Sequence, residues 1–184
     1  MKRLLIIVIA FMCGFTACGG KKEVKEFVIP EGMQRIGAED YGFVTVPDTW
    51  VLDEEDSRNT IRLRNPEKDY EYIRITIGRV DLESDLEDVR RFLEIQVIDS
   101  GIELEYKEIV ELGDYEAWKM SSLRGDYGRI WYAFLIHKAK LFSRERYVVV
   151  IHVAGTKDSH LVIDGYVEES YFINVIERLA TSTH

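Results

Sequence analysis

Two neighbouring stretches, Arg129 to Lys138 and Arg146 to Ala154, are apolar on both of their alternating faces. In the first, Ile130, Tyr132, Phe134 and Ile136 form one face and Trp131, Ala133 and Leu135 the other. In the second, Tyr147 to Val153 is apolar on both sides apart from His152. Strands of this kind belong at the centre of a sheet with a layer packed on each side. A chain of 184 residues is long enough for one ordinary domain and not for two, so the covering layers must come from the rest of the same chain.

The remaining pattern supplies them. Tyr41 to Val46 is β-rich and stops at the turn-opening Pro47-Asp48, with Trp50 just beyond. Asn59 to Asn65 alternates Ile61 and Leu63 with Arg62 and Arg64, and Tyr72 to Val80 alternates Ile73, Ile75 and Ile77 with Arg74, Thr76 and Gly78, as strands covered on one face do. Ser84-Asp85-Leu86-Glu87 reads as a capping box opening an amphipathic helix with Leu82, Leu86, Val89, Leu93 and Val97 on one stripe. That helix should end at Asp99-Ser100-Gly101, where glycine takes the left-handed position. Two more strands, Leu104 to Leu112 and Tyr115 to Leu123, meet at the Gly113-Asp114 turn. After a polar loop, Val167 to Leu179 sets Tyr171, Val175 and Leu179 four apart, with Phe172 and Ile176 alongside, as a second helix. The expected fold is α+β: a largely antiparallel sheet of about six to seven strands with helices on both faces, an αβα sandwich.

The N-terminus carries an address. Lys2 and Arg3 precede an uncharged stretch from Leu4 to Ala17, the order of a secretory signal. Its end, Phe15-Thr16-Ala17-Cys18, resembles the lipobox of bacterial lipoproteins, whereas the rival Cys13 follows the bulky Met12. The resemblance implies that Cys18 is acylated and becomes the first residue of the mature chain. Residues 1–17 are then signal peptide, 18–33 the lipidated cysteine and a flexible tether, and 34–184 the domain. The tether, Gly- and charge-rich, spans close to 50 Å when fully extended at roughly 3.3 Å per residue. Val28 and Ile29 could dock on the domain.

Charge narrows the partners. The formal net charge of −9 falls to −11 once Lys2 and Arg3 leave with the leader. Nucleic acid is therefore not an expected partner, and the domain itself is not expected to adsorb to anionic lipid. The membrane is met through the lipid on Cys18, with an envelope protein as a possible second partner.

Tyr41-Gly42-Phe43-Val44-Thr45-Val46-Pro47-Asp48-Thr49-Trp50 resembles the opening of the PsbP/Mog-like superfamily, and the order that follows resembles it too: two strands, a helix, four strands in a meander and a C-terminal helix. The likeness runs over residues 34 to 180. It implies an αβα sandwich acting as an accessory, non-enzymatic binding domain, with no functional residue to transfer beyond the lipobox.

No nucleophile elbow, P-loop, dinucleotide loop, HExxH, paired CxxC or EF-hand loop occurs, so no catalytic residue, cofactor or metal site is expected. Of His137, His152, His160 and His184, none stands four residues from another, and His152 is expected to be hydrogen-bonded within the core. Asp53-Glu54-Glu55-Asp56 could hold Ca²⁺ but lacks the spacing of a dedicated loop, and a solvated turn is the better reading. Lys138, Lys140 and Arg144-Glu145-Arg146 make a basic hairpin end, and Arg124-Gly125-Asp126 an exposed turn. Trp118, Trp131, Tyr132 and Tyr147 read as core aromatics. The expected role is a lipid-anchored binding module of the cell envelope. A ligand or lipid carrier, which needs a cavity between sheet and helix, ranks second, and a hydrolase third.

Overall fold

The computed structural model describes residues 28–38, 42–53, 60–112, 115–140 and 143–167. The two-faced strands are β8 (Tyr127–Lys140) and β9 (Ser143–Thr156), which pair with each other along their whole length. On one side β9 joins β5 (Lys68–Val80), then β4 (Thr60–Asn65) and a short β3 (Val51–Asp53). On the other, β8 joins β7 (Tyr115–Arg124) and β6 (Tyr106–Leu112), giving an antiparallel seven-stranded sheet in the order β3-β4-β5-β9-β8-β7-β6. All links within it are hairpins or short turns except one. Between β5 and the far-edge β6 the chain crosses the sheet through α1 (Leu86–Asp99).

The α1 stripe is the expected one at its centre, with Val89, Leu93 and Val97 buried against Met120, Trp131, Ala133 and Val148. Its cap lies one residue later than the sequence suggests. Asp85, not Ser84, is the N-cap: its carboxylate accepts from Asp88 N at 2.9 Å, and the Asp88 carboxylate accepts from Asp85 N at 3.1 Å. Asp88 thus takes the third helical position in place of Glu87, and Leu82 is left outside the helix and exposed. Glu87 instead pairs with Arg90, which also reaches Glu94 at 2.5 Å, and Lys107 of β6 ties to Glu94 at 2.7 Å. Gly101, at φ 71°, takes the left-handed position expected of it.

The opposite face is covered by two pieces. One is a separate two-stranded hairpin of β1 (Met33–Ala38) and β2 (Gly42–Pro47), which carries Val44 and Val46 into the core beside Trp50. The β-rich stretch read as Tyr41 to Val46 is thus β2, and its partner β1 is a strand the sequence does not single out. Gln34 holds this hairpin's end, its amide donating to the carbonyls of Pro47, Asp48 and Trp50. Val28 is 79% exposed and Ile29 43%, so neither docks on the domain as the tether reading allowed.

The other piece is α2 (157–167), in the stretch the sequence reads as polar loop. The residues expected as the second helix, beyond Val167, lie outside the described residues. The buried side of α2 alternates apolar and polar groups, Ile163 and Val167 with His160 and Asp164, while Leu161 and Val162 face outward. Such a side is stable because the sheet satisfies it: Tyr132 Oη donates to Asp164 at 2.7 Å, Lys119 Nζ lies 2.9 Å from the same carboxylate, and His160 Nδ1 lies 3.0 Å from the Thr156 carbonyl. Close approach of α2 also needs bare backbone beneath it. A Cβ on Gly128 would fall 2.4 Å from His160 Nδ1, and one on Gly155 2.7 Å from Ser159 Oγ.

Gly128→Ala should accordingly lower the unfolding free energy in urea by about 1–3 kcal/mol. Combining it with His160→Ala should cost less than the sum of the two single changes, since the second removes the ring the new methyl strikes. Asp85→Ala should cost about 1 kcal/mol through loss of the cap.

Candidate functional site

α1 packs chiefly on β7 and β8 and reaches β9 at Val148, and among the described residues it is the element that lies over this face beside β5. Between the helix and this sheet face runs a cleft of about 740 Å³, within the ~300–1,000 Å³ typical of small-molecule sites. Strand register fixes its floor. Gly78 stands opposite Val148, Thr76 opposite Val150 and Arg74 opposite His152, and Trp131 of β8 lies on the other side of His152. Read along each strand in the same direction, the floor passes from Val148 and Val150 to His152 on β9, and from Gly78 and Thr76 to Arg74 on β5. On β8 it passes from Trp131 to Arg129. The floor is apolar at Val148 and Val150 and carries Arg74 and Arg129 further along, with Arg79 beyond Gly78 at the other end. The walls from α1 are Val89, Phe92, Leu93 and Val97.

The charges lining the cleft run against those of the chain as a whole. Among the described residues, the lining includes Arg74, Arg79 and Arg129 and the carboxylate of Asp88, which caps α1, whereas the chain carries a net charge of −9. Arg79 sits at the rim, 70% exposed and 3.9 Å from Glu145. Across the floor runs a succession of planar groups: Trp131 stacks on His152 at 4.8 Å, the edge of Tyr72 meets His152 at 5.2 Å, and the Arg62 guanidinium lies over Tyr72 at 4.6 Å.

His152 is the unsatisfied member. Its Nε2 is buried without a hydrogen-bond partner, and so is Nε of Arg129. Burial, with the positive charges of Arg129, Arg74 and Arg62 added, pushes the imidazole down to about 3, so the ring is neutral at physiological pH. The expectation of a hydrogen-bonded core histidine is therefore not met at Nε2 of His152, whereas His160, for which none was stated, is the histidine placed against a carbonyl. Trp131, expected in the core, is buried and also forms part of the cleft floor.

The other candidates are dispersed. Asp53 pairs with Arg62 and Arg64, each at 3.7 Å, while Glu54 to Asp56 lie outside the described residues. Arg124-Gly125-Asp126 is the exposed β7–β8 turn, with Gly125 at φ 62°. Arg146 donates to the Leu82 carbonyl at 3.1 Å, and Tyr147 Oη to Glu145 at 2.7 Å; the side chains of Lys138, Lys140 and Arg144 lie outside the described residues, as do Cys18 and His184. His137 is exposed on β8. Trp118 lies against α1 beneath Arg90, 5.7 Å from it. A second buried carboxylate, Glu71, went unnoticed in the sequence. Burial raises its pKa, but hydrogen bonds from Asn65, Ser159 and Lys68 outweigh that and hold it below the usual carboxylate range.

The fold is similar to that of a cyanobacterial PsbP. The solution structure of the cyanobacterial PsbP (CyanoP) from Synechocystis sp. PCC 6803 superposes over 86% of this chain and 94% of its own, at 12% identity and a TM-score of 0.50. LpqN, described as involved in cell envelope biogenesis of Mycobacterium tuberculosis, matches over 76% and 87% at 16% identity and 0.47, and a Mog1 variant over 82% and 93% at 15% and 0.43. No family model matches the sequence, and neither does any curated protein. At these identities the likeness is one of fold. No helix among the described residues is long and apolar enough to cross a membrane.

The depressed imidazole has a signed consequence for stability. Unfolded, His152 binds a proton near pH 6.5, while folded it does not until about pH 3. Its contribution is therefore complete above pH 6.5 and is lost as pH falls through the interval between. Relative to His152→Phe, the wild-type chain should lose stability on acidification by at most about 1.4 kcal/mol per pH unit. Urea unfolding of both at stepped pH measures the difference, and histidine NMR should show this ring silent down to pH 4.

Proposed function

We propose that this protein is a lipid-anchored binding protein of the bacterial cell envelope, tethered through Cys18, which takes a small ligand in the cleft beside α1 without transforming it. The observation that carries the reading is the cleft itself, roomy and largely apolar, with Trp131 and the His152 ring on its floor. The leader and the Phe15-Thr16-Ala17-Cys18 junction support envelope anchoring. A non-catalytic role is supported by the chemistry of the site. A neutral imidazole with its pKa pushed down to about 3 is a weak base, and the groups depressing it are arginines, not an orienting carboxylate.

A second use, docking on an envelope protein, draws on Phe92, Ile95 and Ile98, which stand 53%, 59% and 60% exposed on the outer side of α1. The two uses separate experimentally. The full chain, expressed in a bacterium and solubilised from its membrane, should carry a non-covalent small molecule visible by native mass spectrometry. Gly78→Leu should abolish the adduct, because a Cβ there meets only Val148 Cγ1, at 3.4 Å, and the larger side chain grows into the cleft. A folded protein with no adduct, whose crosslinks to one envelope complex survive Gly78→Leu and vanish in Ile95→Ser/Ile98→Ser, would replace ligand binding with docking. Metabolic labelling with a tagged fatty acid should mark the wild type and not Cys18→Ala, and the unlabelled variant should leave the processed membrane fraction.

A further inference from the structure

The sheet ends differently at its two edges. β3 is three residues long, whereas β6 runs for seven, Tyr-Lys-Glu-Ile-Val-Glu-Leu, and pairs with β7 in an unbroken register without bulge or proline. Among the described residues, β6 has no neighbouring strand on its other side. Its outward N–H and C=O groups form a template for another strand, and Tyr106 and Ile109 stand 51% and 53% exposed along it. Lys107, Ile109 and Glu111 share the face on which α1 lies, since Ile109 stands opposite Trp118, which packs against the α1 cluster. Glu111 stands opposite Glu116 of β7, like charge against like, so a cation arriving at this edge relieves a repulsion.

We propose that β6 pairs with β6 of a second copy of this chain, antiparallel and with Ile109 opposite its own mate, joining two seven-stranded sheets into one. Copies related by a two-fold axis through the sheet set one residue opposite itself, and the sequence of β6 favours one choice. Centring on Lys107, Glu108 or Glu111 puts like charges face to face, and centring on either end residue pairs little of the strand. Centring on Val110 sets Ile109 against Glu111 and Glu108 against Leu112. Centring on Ile109 opposes the strand over its whole length: Lys107 meets Glu111 twice, Tyr106 stands opposite Leu112, and the two exposed isoleucines meet each other. Glu108 then faces Val110 on the other side of the sheet, its carboxylate still accepting from Tyr106 Oη at 2.6 Å. Lys107 is bonded to Glu94 at 2.7 Å, but an ammonium has three donors, so the same group reaches a second carboxylate without giving up the first. Because α1 lies chiefly over β7 and β8, set back from the edge, neither helix obstructs the approach. The pairing is independent of what the cleft holds.

The test uses the full-length chain carrying Ile109→Cys, treated with a short bis-maleimide in the membranes of the bacterium that expresses it. Ile109 is exposed, so the substitution should leave the fold intact, which urea unfolding checks. Denaturing gels should show a band at twice the mass of the chain, absent from the wild type. Tyr106→Cys should give little of it, because in this register the two copies of residue 106 lie about 20 Å apart along the paired strands. On the Ile109→Cys background, Lys107→Glu and Glu111→Lys should each weaken the band about tenfold, two attractions having become two repulsions, and the two together should restore it. Restoration separates pairing from a structural role of the Lys107 bond to Glu94, since that bond stays broken in the double variant. Equal bands from Tyr106→Cys and Ile109→Cys, or a loss that the double change does not reverse, overturn the proposal. Crosslinks confined to a different protein, or no band from folded protein, overturn it too.

Discussion

The two-sided burial of β8 and β9 is the constraint from which the rest follows. Tyr132, Phe134, Ile151 and Val153 are shielded on one face, and Trp131, Ala133 and Val148 on the other. Neither layer can be dispensed with, because removing either exposes a continuous apolar surface to water. The two covers nevertheless differ. Opposite α1 the hairpin β1–β2 and helix α2 share the work, with Trp50 and Val167 in one cluster. On the other side, among the described residues, α1 is the covering element of a seven-stranded sheet. One helix is about 10 Å wide and strands are about 4.8 Å apart, so α1 covers only a part of the sheet. The cleft is the geometric remainder.

Much of this was legible in the sequence, and what escaped has physical reasons. Strand identity from β4 to β9 and the body of α1 follow from periodicities intrinsic to the residues, and the largely antiparallel sheet from the short connections between them. Helix α2 escaped because its inner side is built from His160 and Asp164 as much as from Ile163. Periodicity detects burial of apolar groups, and it cannot see that Tyr132 and Lys119, more than thirty residues upstream in the chain, will satisfy a carboxylate. β1 escaped because MQRIGA has little strand character alone and exists by pairing with β2.

The site escaped for a different reason. Arg62 and Arg74 alternate with isoleucine and leucine as the solvent side of any half-covered strand does. Nothing in that alternation tells an open solvent face from the floor of a cleft; the distinction is made by where α1 comes to rest. His152 did stand out as a polar interruption in an apolar strand. Its hydrogen-bonding state was beyond reach, since that depends on Trp131 taking the stacked position beside it and no acceptor or donor taking the other. The depressed imidazole pKa is thus a property of the assembled sheet, with burial first and three arginines from β4, β5 and β8 adding to it.

The contrast of sign between the cleft lining and the whole chain would act, on the ligand-binding reading, as an electrostatic sieve. Charges are felt in solution over about 8–10 Å at physiological ionic strength. A polyanion or an anionic bilayer, extending far beyond that distance, would meet the chain's excess of carboxylates as a whole. A small solute inside the cleft would meet instead the described lining, where Arg74, Arg79 and Arg129 stand with Asp88. Low-dielectric walls focus a local field of that kind. Selection would then follow the size of the charged object and not its charge alone.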